Sequence, residues 1–186
     1  NVRDMTYDEV KELRITSRDG MVSLVPTLDE VLNVIKDRAH LYLELKGDTA
    51  NTECADEIVA ILKEKEMTDQ VTVVSLDYEV IDNIETTYPE LETGYLYFFY
   101  YGNIADLHCD LLIMEEEAAS ADIVDTIHNS GKKAYVWTIN NAESARNFLT
   151  SNIDGIITDE VRMIQQLQDE YTHRSDLDLL KDSFKF

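Results

Sequence analysis

Apolar and polar residues alternate along residues 41–46, LYLELK. Leu41, Leu43 and Leu45 fall on one side and Tyr42, Glu44 and Lys46 on the other, the period-two signature of a β-strand. In residues 52–67 the period changes. Ala55, Ile58, Val59 and Leu62 form one helical stripe, with Thr52 placed to cap it. The exchange of periods then repeats. Strands are predicted at 71–77 (VTVVSLD), 93–99 (TGYLYFF), 110–114 (DLLIM), 133–140 (KAYVWTIN) and 153–159 (IDGIITD), and helices at 77–88, 120–131, 142–150 and 160–171. Ser120 stands where the helix 120–131 should start, and Gly131 where it should stop.

Most of these strands begin about twenty residues apart, as repeated βα units do. No Asn-Gly type of dipeptide separates them, so parallel crossovers are predicted. The six strands read as apolar on both faces, the habit of a buried parallel sheet. The first forty residues differ. Residues 6–13 and 25–37 predict two helices with no strand before them. Each opens with a capping box, Thr6 with Glu9 and Thr27 with Glu30. Residues 173–186 have weak helical periodicity and read as a packed helix or a trailing extension. The expected division is one body over 1–171 and an extension over 172–186.

Six βα units fit an open doubly wound sheet of flavodoxin type. They also fit a (β/α)8 barrel lacking two units, since a complete barrel takes roughly 250 residues and this chain has 186. Periodicity alone leaves both open.

Composition narrows the function. Sixteen basic against 38 acidic residues give a net charge of −22. Such a chain repels phosphate backbones and anionic headgroups, which argues against nucleic-acid or membrane-surface binding as a main role. Any anionic substrate must then be held by a locally placed cation or metal. An apolar content of 44% with ten tyrosines argues against disorder. Cys54 and Cys109 form no metal spacing and read as ordinary thiols. No apolar run is long enough to span a membrane. The chain begins at Asn1, which reads as a processed or excised piece.

Five phrases, VPTLDEVL, LYLELKG, VVSLD, KKAYVWTIN and DGIITD, occur in that order. Together they resemble the glycerophosphodiester phosphodiesterase family over roughly residues 4 to 165. The resemblance implies a (β/α)8 TIM barrel, here truncated to about six units, strands three to eight. It implies hydrolysis of a small-molecule glycerophosphodiester to an alcohol and glycerol 3-phosphate, with Ca²⁺ or Mg²⁺ as the metal. Glu44 and Lys46 match the family's Glu-x-Lys. Glu44 would be a metal ligand, as a hard oxygen donor suits either ion, and Lys46 would meet the phosphate as a point charge. Trp137 matches the tryptophan that lines the glycerol, and Ser75 a small polar residue at the barrel mouth. Leu76 stands where the family more often has phenylalanine. Thr158 and Asp159 read as structural, Asp159 as a helix N-cap.

The family's catalytic histidines sit in His-Arg-Gly and His-Asp. None of His40, His108, His128 and His173 does, so no catalytic residue is expected in this chain. Weak metal binding and little or no turnover follow. Self-association through exposed barrel edges is expected, and a membrane-anchored parent is compatible with the family. A non-catalytic binding or assembly domain is the alternative. The aromatic run GYLYFFYYGN (94–103) departs from the family; core packing is the plain explanation, and a substrate-shaping or lipid-facing lip the sharper one. MEEEAAS (114–120) reads as a solvated loop or a second metal site.

Overall fold

The computed structural model describes residues 1–17, 19–47 and 50–172, without the side chain of Arg3. The predicted helix at 173–186 and His173 lie outside those residues. The chain forms two compact units, residues 1–41 and residues 42 onward.

In the first unit, α1 (Tyr7–Lys11) and α2 (Leu28–Ile35) both start at the predicted capping boxes. The Glu9 amide donates to the Thr6 hydroxyl at 3.3 Å, and the Thr6 amide donates to the Glu9 carboxylate at 2.7 Å. Thr27 and Glu30 repeat the exchange at 3.2 and 2.8 Å. These amide donors hold both carboxyls below the ordinary value. An unforeseen hairpin lies between the helices, β1 (Arg14–Thr16) paired antiparallel with β2 (Val22–Leu24). Every residue of both strands is exposed. With no buried face, the alternation carries no signal. The turn did leave one, because Asp19-Gly20 is a hairpin dipeptide and Gly20 takes φ +83.

The second unit is built on one six-stranded sheet whose order follows the sequence: β3 (Leu41–Leu45), β4 (Val71–Ser75), β5 (Thr93–Tyr97), β6 (Leu111–Glu115), β7 (Lys133–Trp137) and β8 (Gly155–Ile156). The pairs from β4 to β8 are parallel. Helices α3 (Thr52–Glu64), α4 (Tyr78–Thr87), α5 (Ala121–Asn129), α6 (Ala142–Leu149) and α7 (Val161–Thr172) alternate with the strands. A sequential parallel order is that of a barrel wall, not of a doubly wound sheet, whose order reverses at a switch point.

One contact shows that the sheet curls. The Tyr42 hydroxyl on β3 donates to the Tyr135 hydroxyl on β7 at 2.9 Å. Four strand spacings separate these strands, about 19 Å along a flat sheet. Two tyrosines cannot meet across that distance unless the wall bends towards them. On the same concave face Val74, Leu96, Leu111 and Ile113 pack with Tyr135, Trp137 and Ile157. The other face carries the helix-side core, in which Leu112, Met114 and Ala134 meet Ile81 from α4 and Val124 and Ile127 from α5.

Several boundaries differ from expectation. The N-cap of α3 is Asn51, whose side chain accepts from the Cys54 amide, not Thr52, which is the first helical residue. Five of the six predicted strands overrun at their C-terminal ends, because residues such as Asp77 leave the sheet to cap the next helix, whereas β6 runs one residue further than predicted, to Glu115. The last strand keeps only Gly155 and Ile156. Nor is β3 apolar on both faces, since Tyr42 and Glu44 are exposed. Cys109 is buried and its thiol is pushed up to about 12 by that burial, while Cys54 is half-buried.

Glu85 on α4 gives a pH prediction. Burial, the largest effect, pushes its carboxyl above the ordinary 4.5; the hydroxyl bond from Thr93 opposes that rise and Asp110 adds to it. An acid that holds its proton more tightly when folded stabilises the fold below its ordinary value. That contribution is lost as pH rises into the window above 4.5. Glu85→Gln is therefore expected to raise the melting temperature at about pH 7 and to give no gain at about pH 3.5. Thermal melts at the two pH values check this.

Candidate functional site

Parallel strands bring their C-terminal ends to one edge, where barrel sites are built. Glu44 lies at the end of β3 and Lys46 one residue beyond it. The Lys46 ammonium is 3.9 Å from the Glu44 carboxylate, with side-chain exposures of 74% and 38%. Two exposed, opposite charges at this separation add little stability. Their placement is what matters, because both stand at the C-terminal edge and line one open cleft.

The cleft has a volume of about 580 Å³ and is also lined by Ser75, Leu76, Asp77 and Tyr78. The buried Ser75 hydroxyl donates to the Leu45 carbonyl at 2.9 Å and accepts from the Asp77 amide at 3.0 Å. It ties the ends of β3 and β4 together and sets the start of α4. Alternation along β4 turns Ser75 away from the concave face occupied by Val74. The Asp77 carboxylate caps α4, accepting from the Glu79 amide. Sequence reasoning did not single out Asp77 or Tyr78 for the cleft, although Asp77 before an apolar helical stripe is an N-cap signal.

Trp137 ends β7 on the concave face, opposite Glu115 in register. Its ring lies 5.1 Å from that of Phe98. The structure brings Glu44, Lys46 and Ser75 to one cleft but does not place Trp137 in its wall. The Trp137 Nε1–H is buried, and no acceptor meets it among the described residues. A buried donor in that state costs about 1–3 kcal/mol, and an oxygen of a bound molecule would satisfy it.

The described histidines lie at the other edge. His40 immediately precedes β3, and His108 precedes β6 with Nδ1 3.2 Å from Asp82. His128, in the last turn of α5, has Nε2 2.8 Å from Asp154, just before β8. Within the second unit, the described imidazoles of His108 and His128 therefore stand away from the edge that carries Glu44 and Lys46.

Among the described residues no group of three or more His, Cys, Asp or Glu side chains is placed to hold a metal ion. That includes Glu115, Glu116 and Glu117, where a second metal site was weighed; the Glu115 carboxylate caps the following 3-10 turn by accepting from the Glu117 amide. Glu44 fits as one hard oxygen ligand. Alone it does not make the cage of six to eight oxygens that Ca²⁺ takes.

A sequential, curled wall of βα units with its charged groups at the C-terminal edge defines a (β/α)-barrel protein. The comparisons narrow that class. The model of the glycerophosphoryl diester phosphodiesterase family matches residues 1–163, and the chain belongs to that family. A glycerophosphodiester phosphodiesterase of Caldanaerobacter subterraneus subsp. tengcongensis is 25% identical over 173 residues, covering 86% of this chain and 69% of its own length. Among solved structures, a putative glycerophosphoryl diester phosphodiesterase from Silicibacter pomeroyi superposes with a TM-score of 0.82 at 22% identity, over 92% of this chain and 70% of that one. An Oleispira antarctica phosphodiesterase, solved in complex with the product sn-glycerol-3-phosphate, superposes with a TM-score of 0.78 at 23% identity, over 90% and 72%. These structures bear out the barrel fold expected from the sequence, here with six strands of the wall described.

Proposed function

We propose that this chain supplies the phosphate- and glycerol-binding part of a phosphoric diester hydrolase acting on glycerophosphodiesters. The observation that carries the reading is the meeting of Glu44 and Lys46 in one cleft at the C-terminal edge of the wall. Attack on a phosphodiester builds negative charge on the phosphoryl oxygens, and a fixed cation aimed at that charge lowers the barrier. Lys46 is that cation. Glu44 would serve as one oxygen ligand of a Ca²⁺ or Mg²⁺, which would add charge neutralisation when bound. Ser75 fixes the floor by clamping β3 to β4, and Trp137 offers its indole N–H and ring to the glycerol.

The leaving alkoxide also needs a proton. Since the imidazoles of His108 and His128 stand at the opposite edge of the wall, this chain binds but turns over little or nothing. The same observation favours the second reading, a non-catalytic barrel-derived binding domain. We also read the two sheet edges, β3 and β8, as sites of self-association, because among the described residues each has one neighbouring strand in the sheet. Light scattering at dilute concentration would then give a mass above that of one chain.

Calorimetric titration of the chain with glycerol 3-phosphate, with and without Ca²⁺ or Mg²⁺, tests the main reading. Binding that strengthens with either ion is the expected result. No binding under any of these conditions refutes the site. Release of glycerol 3-phosphate from a glycerophosphodiester, monitored alongside, separates an active enzyme from the binding domain.

A further inference from the structure

We propose that the loop following β5, residues 98–101, is a lip that docks on a zwitterionic phospholipid surface such as phosphatidylcholine. The aromatic run divides sharply. Tyr95 and Tyr97 stack at 5.9 Å, and Tyr78 meets Tyr95 edge-on at 5.3 Å. Core packing accounts for these rings. It does not account for Phe98, Phe99 and Tyr101, which are 52%, 62% and 100% exposed. The loop is nevertheless held. The Tyr100 ring folds back over Gly102 so closely that a Cβ there would lie 2.6 Å from its hydroxyl oxygen. Phe99, Tyr100 and Tyr101 share a small crevice with Ile104, Ala118 and Ile123. Tyr100 itself is 37% exposed, and Phe99 and Tyr101 stand further out into solvent.

Charge identifies the occupant. Residues 93–105 contain no Asp, Glu, Lys or Arg, in a chain that is 29% charged overall. Phenylalanine and tyrosine suit the boundary between headgroups and acyl chains, where a ring can lie in the apolar layer and a hydroxyl in the wet one. An anionic membrane would repel a body of charge −22, whereas a zwitterionic one does not. A second copy brings the same −22, and this loop, unlike a sheet edge, has no backbone pairing to offset it. The lip stands at the C-terminal edge, beside Trp137 through Phe98. There it would hold the site against a surface whose lipids are themselves phosphodiesters. That advantage rests on the function proposed above; the docking does not.

Co-sedimentation of the full chain with phosphatidylcholine vesicles, in the absence of metal and phosphate ester, tests the proposal. The chain is expected to pellet with these vesicles and less with phosphatidylserine vesicles. The double variant Phe99→Ser/Tyr101→Ser should partition at least about tenfold more weakly, given the apolar area removed. Trp137 is the single tryptophan and gives a readout that needs no variant: spin-labelled phosphatidylcholine should quench its fluorescence. Absence of pelleting, equal pelleting of the variant, or unquenched fluorescence overturns the proposal. So does a fall in the mass of the free chain on making the variant, which would assign the patch to a second copy. Failure to bind glycerol 3-phosphate would refute the site proposal and leave this result standing.

Discussion

Leu112→Ala is expected to remove about 2–5 kcal/mol of stability, seen as a lower urea midpoint with an unchanged slope. Leu112 is fully buried on β6, inside the sheet with β5 and β7 on either side, paired in register with Tyr95 and Ala134. Its side chain points to the helix layer, where Ile81, Val124 and Ile127 close around it. Truncation removes the transfer free energy of the lost methyl groups and leaves a cavity. The wall cannot collapse into that cavity, because the strand hydrogen bonds hold the neighbouring backbones in place. Domains of this kind are stable by about 5–15 kcal/mol, so one truncation consumes a large share of the margin. A loss below about 1 kcal/mol would mean that the helix layer is not seated on this face as described.

Lys46→Ala is expected to weaken glycerol 3-phosphate binding at least about tenfold, because a hydrogen bond to a charged group contributes about 1.5–3 kcal/mol. Its folding stability should hardly change, since the side chain is largely exposed and its pair with Glu44 spans 3.9 Å. Calorimetric titration with glycerol 3-phosphate, set beside a urea melt of the same variant, separates the two effects. Lys46→Arg should recover part of the affinity, as it keeps the charge while exchanging a compact ammonium for a planar fork. Binding to the wild-type chain should weaken with added salt, as expected for exposed charges. An alanine variant that binds as tightly as wild type would remove Lys46 from the phosphate site.

What the sequence shows of this fold is what local spacing encodes. The period change from Leu41–Leu45 to the stripe of Ala55, Ile58, Val59 and Leu62 marks a strand and a helix directly. Thr6, Thr27 and Ser120 mark helix starts through hydrogen bonds that reach only three residues ahead. Curvature is not local. Tyr42 and Tyr135 are 93 residues apart in sequence, and nothing near either one announces the other. For that reason periodicity left the open sheet and the barrel undecided, and the ordered family phrases were needed to choose. Similar limits apply to the site. Glu44 and Lys46 are legible because one strand carries both. The Ser75 bond to Leu45 crosses from one strand to the next and reads from the sequence only as a serine near a strand end. The exposed hairpin was missed for the opposite reason, since it has no buried side to impose a pattern.

The Tyr42–Tyr135 bond also bears on how the wall keeps its radius. A closed cylinder has a hoop of hydrogen bonds that admits only certain diameters; an open sheet has none, and its ladder tolerates a range of bends. The paired hydroxyls act as a tie-rod strung across an arch, a chord between the first and the next-to-last layer of masonry. Partial burial and the bond to Tyr135 push the Tyr42 phenol above its ordinary value. Together with the side chains packed on the concave face, two oxygen atoms that touch neither end of the site thus join the strand that carries Glu44 to the strand that ends in Trp137.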